Sequence, residues 1–315
     1  MPVVRLRVRK TIVMLALAFL LFAGPIMLAR YLLELSRPDA LVGDHVNYLA
    51  HQYVPREKKD VSPRLARLLQ KEMHAVEAVP RIFLARLPGT LPELENAREK
   101  KRLFTSAMLP IILRANELII ADRGVLLALK KKMLNGTPLR SSERKWLQAK
   151  AKQYRVRRHG NFTMTDIDLL IFRCDVIPPS LALAQAAMES GWGTSRFAQA
   201  GNALFGEWIW GDGDGLMPLD RDEGKTHKIK SFDYLLDSVL SYMTNLNRHP
   251  SYRDLRLRRA ELRQHNLPVT GAALAPALVS YSERGADYVS DILSIINFNG
   301  LDGLDNAQLA VHLEG

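Results

Sequence analysis

A mainly α-helical fold with a small β-hairpin lobe is what this sequence predicts, preceded by an N-terminal transmembrane helix and a helical accessory region. Three observations predict it. Apolar residues recur at helical spacing over most of the chain beyond residue 60, the pattern of helices that bury one face. That periodicity breaks once, in "GNALFGEWIWGDGDGLMPLDRDEGKTHKIKSFD" (201–233), where glycines and Asp-Gly pairs punctuate the short runs "EWIW" and "THKIKSF". Such runs between turn residues read as strands of a small hairpin. The third observation is an uncharged run near the N-terminus, "TIVMLALAFLLFAGPIMLA" (11–29).

At a rise of 1.5 Å per residue that run spans about 28 Å, roughly one bilayer core. Its small-x-small triplet, Ala16-Leu17-Ala18, lies inside the run, too early for signal cleavage, so a retained single span is expected. Arg5, Arg7, Arg9 and Lys10 precede it and only Arg30 follows closely. Residues 1–10 should therefore stay cytoplasmic and the remainder be exported. The expected location is the inner (cytoplasmic) membrane, with the bulk of the chain on its periplasmic or extracytoplasmic side. Pro25 is tolerable within a membrane helix.

The 315 residues, 47% of them apolar and 24% charged, allow a substantial core and exclude wholesale disorder. A formal charge of +11 favours anionic surroundings, whether a lipid surface or a polymer bearing carboxylates. Nucleic acid would rest on charge alone, which reports only non-specific attraction, and the exported topology argues against it. The lone Cys174 excludes an intramolecular disulfide framework and any multi-cysteine metal site. Its apolar setting, "LLIFRCDVIP", predicts a buried, inert thiol.

The elements follow in order. "SPRLARLLQKEMHAV" starts a helix with Ser62 as cap and Pro63 at the first helical position. A long helix begins near "REKKRLF" and should stop at Asn135-Gly136. "SSERKWLQAKAKQYRVRRHG" is a further helix, capped by Ser141 or Ser142, whose basic face could grip a polyanion but needs only solvent. In "TMTDIDLLIFRCDVIPPS", Thr165 or Asp166 should cap a short helix that ends before Pro178-Pro179. Ser180 should cap the next, which runs through Glu189. After the β lobe, helical periodicity returns from "YLLDSVLSYMTNLNRHPSY" onward. The expected divisions are an accessory region at 30–159, a principal domain at 160–300 and a tail at 301–315. A mostly helical domain with one small β insertion is a lysozyme-like layout.

"LALAQAAMESGWGTSRFA" (181–198) holds the candidate chemistry. Its one acid, Glu189, stands in the last turn of an apolar helix, before Gly191-Trp192-Gly193. Free carbonyls and the negative helix end disfavour a carboxylate there, and an apolar lining such as Trp192 adds to the effect. Both raise the pKa, which suits a general acid. No metal or cofactor is expected. "GDGDG" (211–215) lacks EF-hand ligand spacing, since Leu216 stands where a further acid is wanted. His227 and His249 have no paired ligand at metal spacing, and Asn161-x-Thr163 is a glycosylation sequon, irrelevant if the organism is bacterial.

Ala184-Gln185-Ala186, then Glu189-Ser190-Gly191-Trp192-Gly193, then Asn202-Ala203-Leu204-Phe205-Gly206 form an ordered set of blocks. The set resembles the glucosaminidase domain of glycoside hydrolase family 73, and within it the bacterial Bax-like proteins. Similarity continues through "HKIKSFDYLLDSVLSYMTNLNRHPSYRDLR" and "LVSYSERGADYVSDILSII", so that it covers about residues 160 to 297. The resemblance implies cleavage of the β-1,4 bond after N-acetylglucosamine in peptidoglycan. It also implies Glu189 as general acid, with the Asn202–Gly206 turn lining the sugar cleft. Phe205 and Trp192 would then be apolar walls, and Tyr281 would orient the acetamido group, with Tyr288 as a further substrate-binding residue. Glu223, beside Asp220 and Asp222, stands where the family has its second acid. Carboxyls about 5 Å apart would suit a retaining nucleophile and roughly 6.5–9.5 Å an inverting base, while substrate assistance needs no protein nucleophile. Lytic transglycosylase chemistry and a non-catalytic wall-binding scaffold are the alternatives.

Overall fold

The computed structural model describes residues 78–157, 160–209, 215–217 and 228–310. The expected anchor at 11–29, the Ser62-capped helix and Glu223 lie outside these residues. The fold is mainly helical, with a three-stranded sheet.

Nine α-helices are described: α1 (Ala97–Leu134), α2 (Ser141–Gln153), α3 (Met164–Arg173), α4 (Pro179–Ser190), α5 (Arg196–Gly201), α6 (Leu235–Arg248), α7 (Arg253–Gln264), α8 (Gly271–Leu274) and α9 (Ala286–Phe298). The strands are β1 (Trp208–Ile209), β2 (Gly215–Leu216) and β3 (Lys228–Lys230). β3 lies in the middle and pairs antiparallel with both others, so the expected hairpin of "EWIW" with "THKIKSF" is present and widened by a third strand.

The 38-residue α1 starts where the Asn96 side chain accepts from the N–H groups of Arg98 and Glu99, and ends at Asn135 and the left-handed Gly136. By length and composition α1 is able to cross a membrane, but its apolar window is 89% buried inside the protein. It is a core helix here, packed against α3, α4 and α6. Each fully buried leucine or isoleucine, such as Ile111, Ile112 and Leu126, contributes about 2 kcal/mol. One continuous core runs from Val79 to Leu309, with Val79 bridging Leu309 in parallel. The stretch before residue 160 and the segment after 300 therefore pack into the same core as the intervening domain.

Three caps differ from expectation. α2 begins after Arg140, and the Glu143 carboxylate closes its first turn by accepting from the Arg140 N–H. Thr163 caps α3 in place of the expected Thr165 or Asp166, because Thr163 and Asp166 exchange hydrogen bonds in a capping box. Ser180 lies inside α4, where Pro178 precedes Pro179; its N–H and hydroxyl both donate to Asp305, 125 residues downstream. Asp305 also accepts from the Gly271 N–H, so one carboxylate caps α4 and α8 together.

In the link between α3 and α4, Asp175 is the centre of an arginine cluster. Arg263 meets it with two hydrogen bonds at 2.7 and 2.6 Å, while Arg259 and Arg123 approach to 3.7 Å. Burial alone would raise the acid's pKa; these cations outweigh burial and hold it below the ordinary aspartate value. Cys174 is fully buried, and burial pushes its thiol up to about 12, the inert state the sequence predicts.

Candidate active site

α4 is apolar on nearly every face because it is enclosed by α1, α8, α9 and the 3-10 turn Leu301–Asn306. It stops at three successive left-handed residues, Gly191, Trp192 and Gly193. The Trp192 N–H returns to the Ala187 carbonyl at 2.8 Å, and the buried Ser190 hydroxyl donates to Ala186 O and accepts from the Gly193 N–H. A side chain at Gly193 would come within 2.9 Å of both Leu87 and Phe104. This tight stop ends the helix at Ser190, one residue after Glu189, and fixes where the acid emerges.

Glu189 opens into a cleft of about 290 Å³, lined also by Phe205, Glu207, Trp208, Tyr242, Asn245, Tyr252 and Tyr281. A larger open groove, about 910 Å³, runs between α7 and the 272–277 segment and holds none of the candidate catalytic groups. The cleft is the candidate site because it joins an acid, aromatic faces and perturbed titratable groups.

A directed hydrogen-bond chain holds Glu189. The Tyr242 hydroxyl donates to Gln185 Oε1 at 2.6 Å, which fixes the amide orientation. Gln185 Nε2 then donates to the Tyr288 hydroxyl at 2.9 Å, and Tyr288 donates its proton to Glu189 Oε1 at 3.1 Å. Gln185, Tyr242 and Tyr288 are buried, so none has water as a substitute partner. With Oε1 serving as acceptor, the oxygen left to carry a proton is Oε2. Burial raises the Glu189 pKa, and the Tyr288 hydrogen bond opposes the rise only in part.

The expected residues divide into three groups. Glu189, Phe205 and Tyr281 share the cleft. Phe205 stacks on Tyr242 with ring centroids 3.8 Å apart, and Tyr281 stacks on Tyr288 at 5.2 Å. Burial, with Tyr288 and Glu189 nearby, keeps the Tyr281 phenol protonated. Tyr288 lies behind the cleft surface as the support of Glu189. Trp192 and Asn202 do not line the cleft. Trp192 packs edge-on against Phe104 at 5.8 Å, beneath the Lys101 ammonium, so the apolar surroundings of Glu189 come from Phe205 and the tyrosines instead. Asn202 is fully buried in a left-handed conformation, and its amide reaches the carbonyls of Ala85, Phe232 and Asp233. It braces the turn that presents Phe205.

Sequence reasoning missed Glu207, Trp208, Tyr242 and Tyr252. Glu207 carried a usable signal, being an acid directly after the recognised Asn202–Gly206 block. The tyrosines carried none, since their helical spacing also fits an ordinary core. Among the described residues no group of three or more histidine, cysteine or acidic residues is arranged to hold a metal.

A family profile described as glucosaminidase (mannosyl-glycoprotein endo-beta-N-acetylglucosaminidase) matches residues 173–301. Protein bax of Escherichia coli (strain K12) is 33% identical over 214 residues, which is 67% of this chain and 75% of that protein. No solved structure matches the chain.

Proposed function

Because the chain belongs to the glucosaminidase family, we propose that it is a peptidoglycan hydrolase cleaving the β-1,4 bond after N-acetylglucosamine, with Glu189 as the general acid. The observation that carries this reading is the state of Glu189: an acid of raised pKa, one oxygen held by Tyr288, the other left for a proton. A carboxyl so prepared donates from Oε2 to the glycosidic oxygen as the bond to C1 breaks. Phe205 forms an apolar wall, the exposed Trp208 indole gives a sugar-stacking face at the cleft mouth, and the Tyr281 hydroxyl orients the acetamido group.

Glu223 serves as the partner carboxylate, on the strength of its position in the family pattern. The anomer released distinguishes a retaining, inverting or substrate-assisted course. Residues 11–29 anchor the chain in the inner membrane and its site faces the wall, a reading supported by the basic residues ahead of that run. The helical layout with its β lobe supports a lysozyme-like fold.

The test is digestion of purified peptidoglycan by the detergent-solubilised chain beside its Glu189→Gln variant, with products reduced by borohydride and read by mass spectrometry. Reducing N-acetylglucosamine ends that vanish in the variant are expected. Anhydromuramic ends would make the protein a transglycosylase, and release of nothing by a chain that binds the wall would make it a scaffold.

A further inference from the structure

Glu207 stands at the meeting point of the β lobe and the helical body. Its backbone carbonyl accepts from the Lys230 N–H at 2.8 Å, just outside the β1–β3 pairing. Its Oε2 accepts from the Ser241 hydroxyl on α6 at 2.8 Å, and Ser241 in turn accepts from the Lys230 ammonium at 2.9 Å. That ammonium lies 3.9 Å from Oε2. One carboxylate oxygen is thus fully engaged. The other, Oε1, is shielded from solvent and has no hydrogen-bond partner.

An orphaned carboxylate oxygen is costly, and a lobe-to-body tether through Oε2 does not require it. The residue that carries it lines the same cleft as Glu189, Tyr252 and Tyr281. We propose that Glu207 is a substrate-binding residue of this cleft, whose Oε1 takes a hydrogen bond from an N–H or O–H donor of the bound sugar. The assignment rests on the glycosidase reading and adds a contact to it. Bound sugar supplies the missing donor after a small turn of the carboxyl group about its Oε2 anchor. Glu207 then acts beside Glu189, as a ligand of the substrate and not as the acid.

The charge on Glu207 matters for the same reason. Burial favours its protonated form, opposed by the Ser241 hydrogen bond and by Lys230 and Arg248; among the described residues Tyr252 also faces it, and Glu189 and Tyr281 line the same cleft. A proton on Oε1 converts the acceptor to a donor, so sugar binding weakens as pH falls through the Glu207 titration. Replacement by glutamine abolishes that dependence. Lys230 and Ser241 hold the amide oxygen at the Oε2 position, which leaves an NH₂ group facing the sugar's own donor.

The experiment is calorimetric binding of N-acetylglucosamine tetramer to the full chain carrying Glu189→Gln, with and without Glu207→Gln. The expected result is affinity at least tenfold weaker in the double variant at neutral pH. The parent's affinity should fall on acidification, while the double variant's stays flat and its melting temperature remains that of the parent. Equal affinities and equal pH profiles would overturn the role of Glu207 and leave the glycosidase reading standing. A parent that does not bind the tetramer overturns the sugar-cleft reading, and this contact with it. Weaker binding accompanied by a lowered melting temperature and an unchanged pH profile would reduce Glu207 to a lobe tether.

Discussion

Tyr288 donates its hydroxyl proton to Oε1 of Glu189 across 3.1 Å, and that single bond joins α9 to the end of α4 at the floor of the cleft. It favours the charged form of an acid whose pKa partial burial raises. Removing it in Tyr288→Phe should raise the Glu189 pKa further. If Glu189 works as a protonated general acid, activity is lost as pH rises through its titration. The alkaline limb of the rate profile should therefore move to higher pH in the variant, while the maximal rate falls because the carboxyl is no longer oriented. An alkaline limb that stays put would detach that limb from Glu189.

Gln185 should behave as the hinge of the network. Gln185→Leu strands the Tyr242 hydroxyl and leaves Tyr288 free to turn, at a cost of about 1–3 kcal/mol for each buried group left unpaired. Adding Tyr242→Phe removes one stranded hydroxyl, so the double variant should be more stable than Gln185→Leu alone. Urea denaturation of the four proteins of this cycle measures the coupling. Strict additivity would mean that the two side chains act separately.

Much of this site was legible in the sequence because helix punctuation is local. Asn135-Gly136 ends α1 and Gly191 ends α4 through backbone preferences that need no tertiary partner. The long-range caps were not legible: the Ser180 hydroxyl bonds to Asp305 instead of its own helix end, and nothing within a few residues signals a partner 125 positions away. The same limit hid the Tyr242–Gln185–Tyr288 chain, whose members come from three helices. Asn202 and Trp192 show how a recognised block leaves the packing unread: the buried Asn202 amide braces the turn, and the Trp192 ring packs on Phe104.

Gly193 and Gly136 offer a matched comparison. Both have positive φ, +78° and +67°, so alanine is strained at either position, at about 1 kcal/mol. At Gly136 the new methyl meets nothing within 4 Å, whereas at Gly193 it collides with Leu87 and Phe104 at 2.9 Å. Gly193→Ala should cost a further 1–3 kcal/mol from forced repacking of the α1 contact. Thermal melts of the two variants separate backbone strain from crowding. Equal melting temperatures would mean that Leu87 and Phe104 yield freely.

Asp175 carries the last prediction. Arg259 beside it is only 1% exposed and also bonds the carbonyls of Asp175 and Val176. Asp175→Asn leaves that guanidinium buried without its counter-charge, which costs about 3–5 kcal/mol. The pH dependence follows from the depressed pKa. The native acid's contribution is fully present above its unfolded-state value, about 3.9, and is lost as pH falls through the lower folded-state value. The wild-type chain should therefore lose stability steeply below about pH 4, and Asp175→Asn should be much less stable at neutral pH yet lack that part of the acid-induced loss. Melting temperatures of both proteins across that range measure the difference. Parallel curves would mean that the cations around Asp175 do not favour its charged form.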